Sequence, residues 1–279
     1  AVIGNAVTQL MTTGAVYGFF GSGARYTGIT TVSDAGAGAN FRLIPTGSLT
    51  FDMVGASVAG GQIDGSGALD VVYGAPGFST TTVVAAEAGR VLVNFGGAGL
   101  TGNLTTVGRV YEGNAANLGF GRRIVTCSFR GGTTRDMLIS AEANTAATHV
   151  IATAVGRVFD LPSTQGGIVN DGTTTLAGLP QIGGAAVSSN LGSTLACGDY
   201  NNDGFDDVLI LAASPTAASQ RILLVNGSAT PAATLTANTT FSNGAGTAFL
   251  TTPVAPGALT TTAATYNANG AAMDADVNG

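Results

Sequence analysis

The sequence predicts an all-β fold built from internal repeats, and three observations lead to this prediction. Apolar runs of four to six residues, such as GRVLVNF and DVLIL, recur between clusters of Gly, Thr, Ser and Asn, which is typical of many short strands. Helical periodicity is hard to find along the chain. Three segments, at 54–76, 120–142 and 191–213, align without gaps, so the fold has to accommodate a repeat.

The same elements follow one another in each copy. A glycine lies seven residues before a polar loop, at Gly55, Gly121 and Gly192. An aspartate closes that loop directly before a short apolar strand, at Asp70, Asp136 and Asp207. The three loops occupy 62–70, 128–136 and 199–207, and a fourth begins at 274–279. A later strand is predicted in each copy within 14–23, 89–97, 156–163 and 220–228.

The period of about 70 residues, with about four short strands in each copy, matches the size of one propeller blade. We therefore predict a single β-propeller domain over 1–279 that is built from four blade repeats. The chain starts with a strand that normally follows the loop and stops inside the fourth loop. We therefore expect the termini to meet within one blade.

Composition excludes some classes of function. All ten basic residues are arginine, only 9% of residues are charged and the net charge is -6, so the chain lacks the basic clusters that bind nucleic acid. No apolar stretch reaches the roughly 20 residues of a membrane span. Cys127 and Cys197 are too few for a disulfide scaffold. They could face each other across adjacent blades, but we expect two small buried thiols.

The third loop carries the clearest chemistry. Asp199, Asn201 and Asp203 alternate, Gly204 follows, and Asp207 comes four residues after Asp203. Alternating oxygen-bearing side chains face one point when a chain curls, and glycine permits the left-handed backbone of the curl. Ca²⁺ prefers six to eight oxygen ligands. These four side chains predict a calcium site, with the backbone carbonyl of Phe205 as a further ligand.

The other loops supply fewer ligands. In the first loop Gln62, Asp64, Ser66 and Asp70 keep the spacing with only two carboxylates, which predicts a weak site. In the second loop Arg130 stands among the ligand positions, so we expect no Ca²⁺ there and a pairing of Arg130 with Asp136. The fourth loop offers Asp274, Asp276 and Asn278 and needs a closing carboxylate from elsewhere. The alternative for each loop is a metal-free turn, which the same residue types favour.

These motifs resemble the FG-GAP repeats of the integrin α-subunit N-terminal β-propeller. Phe120-Gly121 matches the FG, Gly74-Ala75-Pro76 matches the GAP, and the GDYNNDGFDDVLIL segment matches the calcium loop of that family. The resemblance implies that the loops lie on one face of a propeller, hold structural Ca²⁺ and support adhesion or ligand presentation. The chain departs from the family in blade number, since such propellers usually have more than four.

The expected function is that of a secreted or cell-surface, calcium-binding protein with a structural or adhesive role. Because an incomplete blade presents unpaired strand edges, we also expect self-association into a filament or surface assembly. Two alternatives are a propeller module that binds an extracellular carbohydrate or protein and, less favoured, the scaffold of a secreted hydrolase.

Enzymatic activity is not expected, and glycosylation is open. The glutamates are Glu87, Glu112 and Glu142 only, and the single histidine, His149, has no partner at a recognisable catalytic or zinc-binding spacing. Three sequons are candidate N-glycan acceptors in a secreted protein, although chance matches are common in a chain so rich in threonine. They begin at Asn103, Asn226 and Asn238.

Overall fold

A computed structural model describes residues 2–5, 13–21, 39–45, 52–79, 87–97, 99–141, 156–168, 176–183, 190–212, 221–232, 235 and 239–242. Within these ranges sixteen strands form four sheets of four strands each, and the one helical element is a 3₁₀ turn at Leu176–Gly178. The predicted all-β class is confirmed. No helix in the described ranges is long and apolar enough to cross a membrane.

Three of the sheets are antiparallel, and each takes its four strands from one continuous stretch of the chain. Sheet II contains β4 (Val58–Gly61), β5 (Asp70–Ala75), β6 (Arg90–Asn94) and β8 (Arg109–Glu112). Sheet III contains β9 (Phe120–Cys127), β10 (Asp136–Ala141), β11 (Arg157–Leu161) and β12 (Gln181–Gly183). Sheet IV contains β13 (Leu191–Gly198), β14 (Asp207–Ala212), β15 (Arg221–Val225) and β16 (Thr239–Ser242). Each sheet thus corresponds to one sequence repeat, with its polar loop between the first and second strands.

Sheet I combines strands from two parts of the chain. It contains β1 (Val2–Asn5), β2 (Val16–Phe19), β3 (Phe41–Leu43) and β7 (Gly102–Leu104). The first three strands pair antiparallel, whereas β7 pairs parallel to β3, with Phe41 opposite Gly102. Because β7 belongs to the connection between β6 and β8, sheet II contributes the outer strand of sheet I. The sequence did not predict this strand.

Each pair of successive sheets encloses its own hydrophobic core. In β5, Val71 and Tyr73 pack in the core shared with sheet I, whereas Val72 packs in the core shared with sheet III. A third core between sheets III and IV includes Leu138 and Val208. Sheets buried on both faces require continuous apolar runs instead of alternation, which explains the pattern DVVYGA. Burial of each such side chain contributes roughly 1.5–3 kcal/mol.

The same glycine contact joins each sheet to the next. Isolated parallel bridges connect Gly14 to Val54, Gly89 to Phe120 and Gly156 to Leu191. All three glycines have left-handed backbones, with φ of 78°, 79° and 71°. A Cβ atom on any of them would overlap the backbone of its partner. Glycine is therefore needed there both for the conformation and for the close approach of two chains.

Cys127 and Cys197 form a disulfide, so the expectation of two buried thiols is wrong. Their Cα atoms are 6.1 Å apart, and they join β9 of sheet III to β13 of sheet IV. The two cysteines occupy neighbouring places on the first strands of successive repeats, and face-to-face packing of the two sheets brings these strands together. Such a disulfide is compatible with an extracellular protein.

Candidate metal-binding loops

The closing aspartates have the same hydrogen-bonding role in all three described loops. Asp70, Asp136 and Asp207 are at most 3% exposed. Their Oδ1 atoms accept the backbone N–H groups of residues just beyond the third strand, which are Gly96 at 2.7 Å, Ser163 at 2.9 Å and Gly227 at 3.0 Å. Their Oδ2 atoms accept N–H groups of their own loops, from Ile63 and Asp64, from Arg130 and from Tyr200.

This arrangement changes the interpretation of the closing aspartate. The sequence predicts it as a metal ligand, yet both of its oxygens already accept N–H groups. The second loop keeps the same contacts although its other residues supply no comparable ligand set. The aspartate therefore fastens each loop, independently of any metal, to the residues that follow the third strand at the same end of its sheet. A carboxylate has about four acceptor positions, so capacity for a cation remains in Asp207.

The third loop is tightly curled by side-chain contacts with its own backbone. The Asp203 N–H donates to Asp199 Oδ1 at 3.1 Å and to Asn201 Oδ1 at 2.9 Å. The Gly204 N–H donates to Asp199 Oδ2 at 3.0 Å. Asp203 in turn accepts the Phe205 N–H at Oδ1 and the Asn201 amide at Oδ2. The curl that the sequence predicts is present, with Gly204 at a φ of 89°.

The electrostatics of this loop favour a cation. Burial raises the pKa of Asp207 to about 6, and the nearby carboxylates of Asp203 and Asp199 also raise it, against the lowering effect of the Gly227 and Tyr200 N–H groups. The ionised form of Asp207 is therefore disfavoured by low polarity and by like charge. A bound divalent cation would relieve both effects, because it supplies the missing positive charge.

The donor set fits Ca²⁺ in chemistry, since every predicted ligand offers a hard oxygen. Within the described ranges, however, no group of three or more His, Cys, Asp or Glu side chains is gathered closely enough to hold a metal ion. The carboxylates of Asp199 and Asp203 instead accept hydrogen bonds from backbone N–H groups. Since Asp203 is exposed and Asp199 only half-buried, their side chains have room to turn towards an ion.

The first loop has a looser version of the same turn. Asp64 Oδ1 accepts the Ser66 N–H at 2.8 Å, and the Ser66 hydroxyl accepts the Ala68 N–H at 3.4 Å. Hydrogen bonds from the backbone and the side chain of Ser66 lower the pKa of Asp64. The Gln62 carbonyl accepts the Arg135 N–H. Because Asp70 is buried and accepts backbone N–H groups, Asp64 is the one exposed carboxylate of this loop.

The second loop carries its own cation, as predicted. Arg130 Nη1 lies 3.2 Å from Asp136 Oδ2. Its guanidinium also donates to both carboxylate oxygens of Asp160, at 2.8 and 2.5 Å. The predicted pairing of Arg130 with Asp136 is thus confirmed, and sequence reasoning missed Asp160. The signal was an aspartate in strand β11 at a position where the equivalent residues of sheets II and IV, Val93 and Leu224, are apolar.

The loops also contact one another in a repeated way. The eighth residue of each loop donates its N–H to the carbonyl of the first residue in the preceding loop, from Arg135 to Gln62 at 2.7 Å and from Asp206 to Ser128 at 3.1 Å. Arg135 Nη1 further donates to Asp206 Oδ2 at 2.6 Å. Asp206 is adjacent to Asp207, so these contacts hold the third loop against the second loop.

A cavity of about 930 Å³ opens beside the loops. The first strands of sheets II, III and IV, which are β4, β9 and β13, line its wall. Its polar side chains include Thr126, Thr133, Arg135, Tyr200 and Asp206. Sequence spacing alone gave no sign of this cavity, because it depends on how three distant strands converge.

Several predicted residues are placed elsewhere or lie outside the described residues. Asp274, Asp276, Asn278, Asn238, His149 and Glu142 fall outside them. Glu87 and Glu112 are each 8% exposed and thus buried. Asn103 is exposed in β7, whereas Asn226 is half-buried after β15.

No protein-family model matches this chain, and no curated protein has a significantly similar sequence. The resemblance to FG-GAP repeats therefore depends on the loop residues and the repeat itself.

Proposed function

We propose that the protein is an extracellular, calcium-stabilised β-propeller of FG-GAP type with a structural or adhesive role. The observation that carries the proposal is the third loop, which curls beside the buried Asp207 because Asp199 and Asn201 accept backbone N–H groups of that loop. In the resembling family, loops of this pattern bind Ca²⁺ without catalysing a reaction. We therefore propose that the protein binds Ca²⁺ for stability and does not act as an enzyme.

The arrangement of the sheets supports a propeller. Sheets II, III and IV are equivalent four-stranded units, joined to their neighbours by the same glycine bridge. Their first strands line a common cavity, as the inner strands of blades do around a central channel. Sheet I fits as a further blade whose outer strand, β7, comes from its neighbour.

Calcium would act on the protein by stabilising the folded loop. When bound, the ion supplies two positive charges to a site with three carboxylates. Asp199, Asn201 and Asp203 are the side chains available to hold it, together with the free acceptor positions of Asp207 and the Phe205 carbonyl. A ligand that binds only the folded state stabilises that state by mass action. The millimolar calcium of extracellular fluid would then serve even a weak site.

Calorimetric titration of the chelator-treated full chain with CaCl₂ tests this proposal. We expect one dominant site, and we expect Asp203→Ala to weaken it by about tenfold or more, equivalent to about 1.4 kcal/mol. Asp64→Ala in the first loop is the matched control and should leave that affinity unchanged. The absence of calcium binding in the folded wild-type chain, or equal loss in both variants, would reject the proposed site.

We further propose that the protein associates with copies of itself into a filament or surface assembly. Among the described residues, strand β16 of sheet IV pairs only with β15, and an outer strand of this kind can accept a strand from another chain. Negative-stain electron microscopy of the purified protein should reveal regular assemblies. Monodisperse single particles at high protein concentration would rule this part out.

A ligand-binding module is the second candidate function, and the cavity favours it. Its volume is within the range of small-ligand sites, and its polar lining of Arg135, Asp206, Thr133 and Tyr200 suits the hydroxyl groups of a carbohydrate. Screening the protein on a glycan array distinguishes the two candidates. Reproducible binding that Tyr200→Ala abolishes would favour the module over a purely structural role.

A further inference from the structure

We propose that Asn103 carries an N-linked oligosaccharide and that Asn226 does not, although both begin a sequon. The proposal depends on the extracellular setting proposed above, because the transfer of such oligosaccharides accompanies secretion. The sequence gives no basis for choosing between the two sites. Their surroundings differ in exposure, in backbone contacts and in the structural role of the residues that follow them.

Asn103 is on an exposed outer strand. It lies at the centre of β7, where Gly102 and Asn103 are both exposed. Strand β7 pairs with β3 on one side, and it is the last strand in the order of sheet I. Thr105, the hydroxyl residue of the sequon, is also exposed. An oligosaccharide on Asn103 would extend into solvent and would need no change in the packing of sheets I and II.

Asn226 is held within the loop junction. The next residue, Gly227, is buried, and its N–H donates to Asp207 Oδ1 at 3.0 Å. The N–H of Ser228 donates to the Phe129 carbonyl at 2.9 Å, and the Asn226 Oδ1 atom is itself buried. The whole sequon thus lies between the second and third loops. A glycan there would compete with the contact that fastens Asp207.

The reaction needs one co-substrate, a lipid-linked pyrophosphoryl oligosaccharide. The amide nitrogen of Asn103 forms a bond to the anomeric carbon of the first sugar. The bond between that carbon and the pyrophosphate oxygen breaks, and the lipid pyrophosphate leaves with its electron pair. The amide proton passes to a base of the transferase. No electron is gained or lost, so no oxidant or reductant is required.

The product has a physical consequence for the fold. An uncovered outer strand exposes backbone N–H and C=O groups that pair readily with other chains. The glycan on Asn103 would cover this edge of sheet I. Glycosylation would thereby limit association of the protein through β7.

The positions of the arginines allow a protease to separate the sequon of Asn103 from that of Asn226. Cleavage at Arg90 and Arg109 releases peptide 91–109, which contains Asn103 and no other sequon, whereas Asn226 and Asn238 remain together on peptide 222–279. We would secrete the full chain from a eukaryotic cell line and release the glycans in H₂¹⁸O with an amidase that converts the modified Asn to ¹⁸O-labelled Asp. The label separates this conversion from earlier spontaneous deamidation at Asn226-Gly227, and fragmentation mass spectrometry locates each labelled residue. The expected result is conversion at Asn103 and none at Asn226.

Three variants and one separate measurement complete the experiment. Asn103→Gln and Thr105→Ala should each abolish the glycan on peptide 91–109, and Asn226→Gln should leave it unchanged. An unmodified Asn103 in the secreted wild-type protein, or a glycan on Asn226, would overturn the proposal. Calcium titration of the same deglycosylated sample tests the proposed function independently. Retained calcium binding without a glycan at Asn103 would therefore reject only this inference.

Discussion

Asp136 makes the same kinds of hydrogen bond as the other closing aspartates, although the rest of its loop differs from theirs. It closes a loop that contains Arg130, yet it retains the same two kinds of backbone contact as Asp70 and Asp207. The contact with Ser163 fixes the loop to the turn that follows the third strand of its sheet. A metal-independent role explains why the aspartate occurs in a loop with no other carboxylate ligand.

Replacement of this aspartate should therefore destabilise the protein with or without calcium. Asp136→Ala leaves the N–H groups of Ser163 and Arg130 without their acceptor, while the Arg130 guanidinium keeps its ion pair with Asp160. We expect a loss of roughly 1–3 kcal/mol in the free energy of unfolding for each unsatisfied N–H group. Urea denaturation in calcium and in chelator measures the loss under both conditions.

The exposed Asp64 is the control for this substitution. Asp64→Ala removes a contact within an exposed turn, and its cost should stay within about 0.5 kcal/mol. A loss for Asp136→Ala that is seen in calcium and vanishes in chelator would show that the closing aspartate acts through a metal. That result would contradict the role assigned to it here.

The sequence predicted individual loop residues better than their partners. The positions of the ligand candidates and the pairing of Arg130 with Asp136 followed from spacing within one loop. The partners of the closing aspartates lie 20 to 27 residues further along the chain, and Asp160 reaches Arg130 only through the register of β10 and β11. Such contacts depend on strand pairing, which loop spacing does not specify.

Among the elements, the glycine bridge is the contact on which the packing of successive sheets depends. Gly89 combines a φ of 79° with an approach so close that a Cβ atom would overlap the Phe120 backbone. The same combination occurs at Gly14 and Gly156. A side chain there would push two sheets apart, in addition to straining its own backbone.

A comparison of two glycines tests this view. Gly97 has a φ of 100° and nothing within 4 Å of an added Cβ, so Gly97→Ala should cost only the conformational strain of about 1–2 kcal/mol. Gly89→Ala should cost about 1–3 kcal/mol more, since overlap adds to the strain. Chemical denaturation measures both variants. Equal losses would show that the close approach contributes nothing to stability.

The equivalence of the interfaces between sheets predicts a second disulfide. Gly61 and Thr126 precede their loops by one and two residues, as Cys127 and Cys197 do. An added Cβ on Gly61 would lie 3.0 Å from the Thr126 Cβ, close to the roughly 3.5–4.5 Å of disulfides. The double variant Gly61→Cys with Thr126→Cys should therefore form a bond between sheets II and III, and raise stability by about 2–4 kcal/mol.

Thiol titration and mass spectrometry of the folded, oxidised double variant measure this outcome. Each single variant should retain one free thiol and serves as the control. Two free thiols in the oxidised double variant would mean that sheets II and III do not pack as sheets III and IV do.

The strands of the repeats were predictable, but one strand and the disulfide were not. Apolar runs flanked by turn residues located β2, β6, β11 and β15. Strand β7 is three residues long, largely exposed and paired parallel to a strand of another repeat, so it lacks the apolar pattern of the others. The disulfide depends on the packing of two sheets, and from the sequence alone two buried thiols were expected.

In the whole molecule, charge is concentrated at the loops. Only 9% of residues are charged, and the closing aspartates, Arg130 and the Arg135–Asp206 pair lie in or between neighbouring loops. Hydrogen bonds link the first loop to the second and the second to the third. An ion held by the third loop would therefore stabilise a connected set of loops and the ends of three sheets.

The thermal unfolding midpoint in calcium and in chelator tests this account most directly. At a free calcium concentration of about 100 times the dissociation constant, binding adds about 2.7 kcal/mol to the stability of the folded state. For a chain of 279 residues that corresponds to a rise of roughly 5 °C. We predict this rise for the wild-type protein and its loss in Asp203→Ala. Identical midpoints in calcium and in chelator for the wild-type protein would contradict a calcium-stabilised fold.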